Sequence, residues 1–167
     1  MNKRAFSLIE ILISISLFSL ILIFLYETLD MTTKSNQFYS KKLEMKQNKN
    51  HLKSIIFSDL INIKNTNTKY IAITDRRKNS ILNFKTQNTY HNPFYNNITY
   101  LVTKNKNFVR IESKNKFDIK KLDDEFFKYT YIDILSINVS KLKIKQEDKK
   151  FYFYIEYKDK TKSIFSF

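Results

Sequence analysis

The sequence predicts an α+β protein in which a long N-terminal helix packs on antiparallel β-sheet. Three observations lead to this class: an apolar run over residues 6–26, a helical repeat of apolar side chains after it, and short strand-like segments in the second half. The change from a helical period to period-two alternation is typical of a helix followed by a meander of strands. We therefore expect residues 27–65 to continue the helix and residues 66–167 to form one β domain.

The composition excludes many kinds of enzyme site. The 167 residues include no Cys and no Gly, so disulfides, thiolate metal sites and glycine-dependent phosphate loops or nucleophile elbows are not expected. The acidic run at residues 123–125 has oxygen donors for calcium but no EF-hand spacing, which favours a solvated loop. His51 and His91 have no acidic neighbours in sequence, which favours surface or packing roles. We expect no catalytic activity, no cofactor and no metal.

The net charge of +14 raises nucleic-acid binding as an alternative, since clustered Lys and Arg neutralise phosphates. The basic residues are mostly Lys, however, and they are scattered among Asn and Ile along the chain. Specific recognition of bases and phosphates favours the bidentate guanidinium of Arg, and the chain has only four Arg. We therefore expect no nucleic-acid partner.

The N-terminal run reads FSLIEILISISLFSLILIFLY, with Glu10 as its only charge. At 1.5 Å per residue, a helix of this length spans about 30 Å, the hydrocarbon thickness of a bilayer. Lys3 and Arg4 precede the run and Glu27 follows it, so the positive-inside rule places the N-terminus in the cytoplasm and the remainder outside. A carboxylate inside a membrane span costs free energy, which makes Glu10 a functional hypothesis.

Two general interpretations of this run are incomplete. A secretory signal peptide has a shorter apolar core, of about 7–15 residues, followed by a small-residue cleavage site. Residues 27–30, Glu-Thr-Leu-Asp, offer no such site. A plain membrane anchor fits the length but leaves Glu10 without a role.

Residues 5–10, Ala-Phe-Ser-Leu-Ile-Glu, resemble the class III signal of type IV pilins and type II secretion pseudopilins. The resemblance implies that a prepilin peptidase cleaves between Ala5 and Phe6 and that the new N-terminus at Phe6 is methylated. Residues 1–5, with both leader charges, are then a cytoplasmic leader peptide. Ala5 stands where the family usually has Gly; the small side chain is kept, so cleavage is still expected, and whether it is slower stays open.

The resemblance also gives Glu10 a role in assembly. Cleavage leaves a cationic α-amino group at the positive end of a helix within the apolar layer, which is unfavourable for an isolated charge. A carboxylate of a neighbouring subunit can neutralise it. At about 4 Å and an effective dielectric near 20, the attraction is roughly 4 kcal/mol before desolvation is subtracted. We expect Glu10 to align each subunit with its neighbour.

Beyond Tyr26 an amphipathic period continues the helix to about residue 63. Its apolar face is expected to pack against the protein's own sheet, as the long helical spine does in the pilin-like fold. The face consists of Phe38, Met45, Leu52, Ile56, Leu60 and Ile63.

The second half predicts short antiparallel strands bounded by Asn and Lys. Residues 104–106 and 158–161 are predicted hairpin turns, in which Asn is expected to take the left-handed positions that Gly usually fills. The candidate strands are residues 69–74, 81–86, 98–103, 107–113, 132–139, 142–145, 151–157 and 163–167.

Later segments narrow the resemblance to a minor pseudopilin of the GspJ type. Residues 51–60 look like the end of that group's long helix, and residues 82–84, 98–102 and 108–110 look like its central sheet. The resemblance implies GspI-like and GspK-like partners bound through the long helix, together with a prepilin peptidase and an assembly ATPase. The subunit would be held in the lipid of the bacterial inner membrane, with its β domain in the periplasm, until it enters a pseudopilus.

Two alternatives stay open. A minor pilin of a type IV pilus or DNA-uptake system, whose positive charge would contact DNA, would be favoured by a surface that concentrates Arg and Lys beside exposed aromatic side chains, and not by an evenly spread charge. A membrane-anchored periplasmic enzyme would need a concave pocket with convergent titratable groups.

Overall fold

The computed structural model describes residues 7–63, 73–75, 78–119, 123–148 and 150–167. The chain divides into two compact units, residues 1–48 and 49–167. The first is the N-terminal part of a helix, α1 (Leu8–Ile61), and the second contains the end of α1, a short helix and two antiparallel sheets. The predicted α+β class, with a long N-terminal helix and a pilin-like architecture, is confirmed.

Helix α1 contains neither Pro nor Gly, so nothing in its backbone chemistry interrupts it. Its apolar first part carries three Ser hydroxyl groups, and each donates to the carbonyl four residues earlier. The distances are 2.8 Å from Ser14, 2.9 Å from Ser16 and 2.9 Å from Ser19. These bonds satisfy the hydroxyls within the helix, which is the condition for placing them in hydrocarbon.

The strands agree with the predicted segments, with boundaries shifted by one to three residues. Strands β1 to β5 form one sheet in chain order, and β6 to β8 form a second. Most of the predicted strand at residues 69–74 lies outside the described residues. The strands are β1 (Ile73–Thr74), β2 (Ser80–Lys85), β3 (Asn97–Val102), β4 (Phe108–Ser113), β5 (Thr130–Ser136), β6 (Val139–Glu147), β7 (Lys150–Tyr157) and β8 (Lys162–Ser166).

The main core lies between the end of α1 and both sheets. Leu52 and Ile56 of α1 are buried there, and Leu60 and Ile63 pack against it. Phe38 and Met45, in contrast, are 55% and 51% exposed. These two residues belong to the first compact unit, so their packing on the sheet stays a prediction. A helical period identifies an apolar face but does not say what covers it.

The predicted loop at residues 123–125 is instead the start of a helix, α2 (Asp124–Lys128). Asp123 caps it, because its side chain accepts a hydrogen bond of 2.8 Å from the amide of Phe126. Asp124 and Glu125 lie in the first turn, where carboxylates favour the positive end of the helix. The acidic run thus has a local structural explanation. No group of three or more possible metal ligands occurs within the described residues.

Both predicted hairpin turns are present, but their left-handed residues are mostly not Asn. Among all the described residues, five take the left-handed conformation, and three of these are Lys, at a cost of about 1–2 kcal/mol each for a side chain with a Cβ. Hydrogen bonds hold two of them, from Lys106 to the Thr103 carbonyl at 3.1 Å and from Lys160 to the Tyr157 carbonyl at 3.0 Å. The five residues are Lys78, Lys106, Asn138, Asp148 and Lys160.

Asn138 also explains why one predicted strand extends past the end of β5. The predicted strand over residues 132–139 runs from β5 into the first residue of β6. Asn138 has a φ of 58°, in the left-handed region, so the extended conformation of β5 does not continue into β6. Since neither Gly nor Pro marks this turn, the strand pattern continued across it.

Candidate functional site

Glu10 belongs to a reciprocal cap at the start of α1. The amide of Ser7 donates to Glu10 Oε2 at 2.9 Å, and the amide of Glu10 donates to Ser7 Oγ at 3.3 Å. This is a capping box, in which a Ser before the helix and a Glu three residues later each satisfy a free amide. The side chain of Glu10 is therefore oriented towards the N-terminus of its own helix.

The cap uses one carboxylate oxygen of Glu10. Within residues 7–63 and the other described segments, no hydrogen bond reaches Oε1. Around it the helix surface is apolar, and every Leu, Ile and Phe between residues 8 and 25 exposes at least 40% of its area. A surface of this kind suits lipid or neighbouring helices. Lys3, Arg4, Ala5 and Phe6, the other predicted site residues, lie outside the described residues.

The second polar cluster is centred on Arg110, which lies in β4 and is fully buried. Its five N–H groups meet five acceptors. The guanidinium binds Asp59 of α1 bidentately, with 2.8 Å from Nε to Oδ2 and 3.2 Å from Nη2 to Oδ1. It also donates to Glu112 Oε2 at 2.9 Å, to the Asn88 carbonyl at 2.9 Å and to Asp133 Oδ2 at 3.4 Å. The cluster therefore joins the end of α1 to strands β4 and β5.

Asp59 is as fully buried as Arg110 and receives further donors. The hydroxyl of Tyr100 donates to it at 2.5 Å and the side-chain amide of Asn88 at 2.7 Å. Burial, and then the charge of Asp59, hold the pKa of Tyr100 well above its usual value. The phenol is therefore a fixed donor at neutral pH, and Asp59 is a fixed acceptor.

Glu112 anchors the loop that follows β2. Its carboxylate accepts the backbone amides of Tyr90, His91 and Asn92 at 2.8, 3.1 and 2.9 Å. Burial alone would raise the pKa of Glu112, but these amides and Arg110 outweigh it and hold the pKa below its usual value. The Tyr90 ring lies 4.1 Å from the guanidinium carbon of Arg110 and closes the cluster. Glu112 is thus an ionised structural anchor.

His91 contacts an acidic residue that lies far from it in sequence, in keeping with the predicted packing role. Its Nε2 atom lies 2.8 Å from Asp133 Oδ1, and its ring stacks on Tyr131 with centroids 4.5 Å apart. The pairing of β4 with β5 places Asp133 opposite Arg110, beside the loop that contains His91. Residues forty-two positions apart in sequence thus meet, which no local pattern predicts.

A groove of about 340 Å³ opens beside this pair, lined by His51, Ile55, Tyr90, Asp133, Ile134 and Leu135. Asp133 is already engaged through both oxygens, Oδ1 with His91 and Oδ2 with Arg110. Both oxygens of its carboxylate are therefore held by the fold. The groove is a concave surface between α1 and the edge strand β5.

Sequence analysis missed Asp59 and Arg110, although a signal was present. Phe38, Met45 and Leu52 recur every seven residues, and the next position in that series is Asp59. In β4, Arg110 and Glu112 share a face with the buried Phe108. A charged residue at an apolar position of a pattern requires an opposite charge elsewhere in the core.

One known family matches the part of the chain that contains Glu10. Residues 1–26 match the family described as the prokaryotic N-terminal methylation motif. The chain carries a prepilin-type signal. The match supports a type IV pilin-like protein, and proteins that carry this signal are structural subunits. No curated protein and no solved structure matches the chain.

The prepilin-type signal coincides with the part of α1 that can cross a membrane. By length and composition, α1 is the one helix of the described residues that qualifies, with a mean hydropathy of 2.8 over its most apolar window. None of that window is buried. An apolar helix behind a prepilin-type signal is consistent with a single-pass anchor in the inner membrane.

Proposed function

We propose that this protein is a minor pseudopilin, a structural subunit at the tip of a type II secretion pseudopilus. The observation that carries the proposal is the position of Glu10. It lies within a prepilin-type signal, on an apolar helix surface, with one carboxylate oxygen outside the local cap. A carboxylate in that setting requires a cation, and assembly with a neighbouring subunit supplies one.

The proposed maturation begins with the prepilin peptidase, which cuts between Ala5 and Phe6. The leader with Lys3 and Arg4 is removed, and the new amino group of Phe6 is methylated and remains cationic. Glu10 of one subunit then pairs with the Phe6 amino group of the next. The pair fixes register, since much of its attraction is offset by desolvation.

The Arg110 cluster supports a mechanical role for α1. The subunit is held in the membrane by α1. When this helix leaves the membrane during assembly, the β domain must move with it. Asp59 of α1 is held by the guanidinium of Arg110 in β4 and by the hydroxyl of Tyr100 in β3, all fully buried. Separating these groups would leave charges unpaired inside the core, at a cost of about 3–5 kcal/mol. The cluster thus fastens the end of α1 to the β domain.

The proposed partners are GspI-like and GspK-like subunits that pack along α1, with an assembly ATPase acting from the cytoplasm. Phe38 and Met45 suit this contact, because their side chains remain half exposed on the helix. We propose no catalytic role: Arg110 occupies the centre of the buried carboxylate cluster, and its partners are engaged in holding the fold.

Maturation is tested by mass spectrometry of the full-length chain co-expressed with a prepilin peptidase. We expect a mature chain that begins at Phe6 and carries one added methyl group. Ala5→Gly should be processed at least as completely, and Ala5→Leu should remain uncleaved. A wild-type chain that stays full length beside a processed control pseudopilin would contradict the proposal.

Assembly is tested by co-purification with the minor pseudopilins of the same cell. Glu10→Gln keeps the size and capping geometry of the side chain and removes its charge, so we expect a large loss of partner recovery with unchanged membrane insertion. Glu10→Asp, which keeps the charge, should recover part of it. Normal incorporation of Glu10→Gln would rule out the charge pair.

One feature favours an alternative, a minor pilin of a type IV pilus or DNA-uptake system. Lys and Tyr side chains share the outer face of the second sheet. The same co-purification separates the two functions, because secretion subunits in the eluate support the first and pilus or competence subunits support the second.

A further inference from the structure

The outer face of the second sheet carries a row of lysines. In β6 the buried residues Leu142 and Ile144 alternate with Lys141, Lys143 and Lys145. Alternate residues of a strand lie about 6.6–6.8 Å apart on one face. The three lysine side chains therefore leave the strand on one face at this spacing.

Tyrosines lie directly beside this row. In β7, Tyr152 and Tyr154 are the partly exposed residues between buried apolar ones. The strand register places Lys143 opposite Tyr154 and Lys145 opposite Tyr152. Each ring therefore has an ammonium group as its cross-strand neighbour.

The third strand extends the same face. Lys162 and Ile164 of β8 point to the side opposite the buried Ser163 and Phe165. Lys162 pairs with Glu156 of β7, and Ile164 pairs with Tyr154. With Lys150 of β7, which lies opposite Glu147, five lysines and two tyrosines thus occupy one face of the three strands.

The charge on this face stays positive after its own acidic residues are counted. Glu147 forms an ion pair with Lys145, and Glu156 lies opposite both Lys141 and Lys162. The Tyr154 hydroxyl donates to Glu156 at 3.1 Å, which fixes the ring on the sheet. Five lysines against two carboxylates leave three positive charges, and Lys158, Asp159 and Lys160 are exposed in the adjoining turn.

We infer that this face, Lys141, Lys143, Lys145, Tyr152 and Tyr154 with Lys162, binds single-stranded nucleic acid without sequence preference. The lysine row contacts phosphates, and the tyrosine rings offer surfaces on which bases stack. Because successive lysines of β6 repeat along one face of the strand, a single strand laid along β6 meets an ammonium group repeatedly.

The inference revises the expectation from composition, and the reason is geometric. Lysines at every second position appear scattered in a sequence, but a strand places them on one face. Binding to the phosphate backbone needs point charges and does not need the bidentate geometry of Arg. The proposed function rests on Glu10 and not on this face, so failure of the inference would leave the proposed function intact.

The test uses the full-length protein in phosphatidylcholine nanodiscs and a fluorescein-labelled oligothymidine, followed by fluorescence anisotropy over a range of salt concentrations. We expect binding whose affinity falls with salt. Replacing Lys141, Lys143 and Lys145 with Gln should lower the salt slope by about 2, since each phosphate contact on a single strand contributes about 0.7. Replacing Tyr152 and Tyr154 with Ser should weaken binding roughly 5-fold or more per ring and leave that slope unchanged.

A matched control removes the same charge from an exposed helix surface, with Lys41, Lys46 and Lys53 changed to Gln. It should bind as the wild type does, and thermal unfolding should confirm that every variant is folded. An equal loss in the control would show diffuse charge attraction and overturn the proposal. Failure of the tyrosine variant to weaken binding, together with co-flotation of the wild type with phosphatidylserine vesicles, would assign the face to anionic lipid and also overturn it.

Discussion

Helix α1 carries two carboxylates at positions where its pattern is apolar, and the fold treats them in opposite ways. Asp59 is fully buried and receives four hydrogen bonds from Asn88, Tyr100 and Arg110. Glu10 is exposed, and the described residues supply it with the Ser7 amide as a donor. A carboxylate on an apolar helix face needs a cationic or polar partner. For Asp59 that partner comes from the protein's own β domain, whereas for Glu10 we propose that it comes from a neighbouring subunit.

The largest expected effect on stability comes from removing Arg110, the ion-pair partner of Asp59. Arg110→Met deletes the guanidinium and leaves three carboxylates facing one another in or beside the core. We expect the β domain to lose about 3–5 kcal/mol of unfolding free energy, the usual effect of breaking a buried ion pair on one side. Urea unfolding, followed by the near-ultraviolet signal of the tyrosines, measures it.

Two controls define that result. Arg110→Lys keeps the charge but not the five donors, so it should lie between the wild type and Arg110→Met. Glu10→Gln should leave the unfolding of the β domain unchanged, because Glu10 has no part in that core. If Arg110→Met were as stable as the wild type, the contrast between the two carboxylates would disappear.

The sequence alone predicted a role for Glu10 but not for Asp59. Glu10 was found because its surroundings form a short contiguous motif with a known chemistry. Asp59 occupies a place in the heptad series of Phe38 and Met45, so a local signal existed, but its partner Arg110 lies fifty-one residues away. Local patterns identify an unpaired charge, whereas only the pairing of strands shows which charge meets it.

The left-handed turns show the same limit from another direction. The hairpin at residues 104–106 was predicted from its position between two strands, and it is present. Its left-handed residue is Lys106 and not the adjacent Asn105. The hydrogen bond from the Lys106 amide to the Thr103 carbonyl closes the turn and fixes Lys106 as the left-handed residue. The preference of Asn for that conformation does not change this. The strands themselves were predictable because alternation between buried and exposed residues is local to each of them.

A second test uses pH. The pKa of Glu112 is held below its usual value of 4.5 in the folded protein, so its stabilisation is complete above that pH and is lost as the pH falls through the folded pKa. The pKa of Tyr100 is raised above its usual value of 10.0, so its contribution is complete below pH 10 and is lost as the pH rises further. We expect a plateau of unfolding free energy between about pH 4.5 and about pH 10.

The variant Glu112→Gln tests whether Glu112 causes the loss of unfolding free energy at acid pH, the acid limb of the curve. It should unfold with a smaller loss of stability between pH 4.5 and pH 3 than the wild type does, because one depressed carboxyl no longer takes up a proton. Glu10→Gln should follow the wild-type curve on both limbs. An acid limb of unchanged slope in Glu112→Gln would assign that limb to other carboxylates.

The smallest test separates the two interactions available to Glu10. Ser7→Ala removes the hydroxyl that accepts the Glu10 amide, and should destabilise the first turn of α1 by about 1 kcal/mol, as the loss of an N-cap does. Faster amide hydrogen exchange at Glu10 and Ile11 in micelles would report it.

Because Gln also serves in a capping box, Glu10→Gln keeps the cap and loses the charge, whereas Ser7→Ala weakens the cap and keeps the charge. If charge alone governs assembly, Ser7→Ala recovers partner subunits normally and Glu10→Gln does not. Equal losses in both variants would mean that the cap presents Glu10 to the neighbouring chain, and that the local and the intermolecular roles of this carboxylate are one.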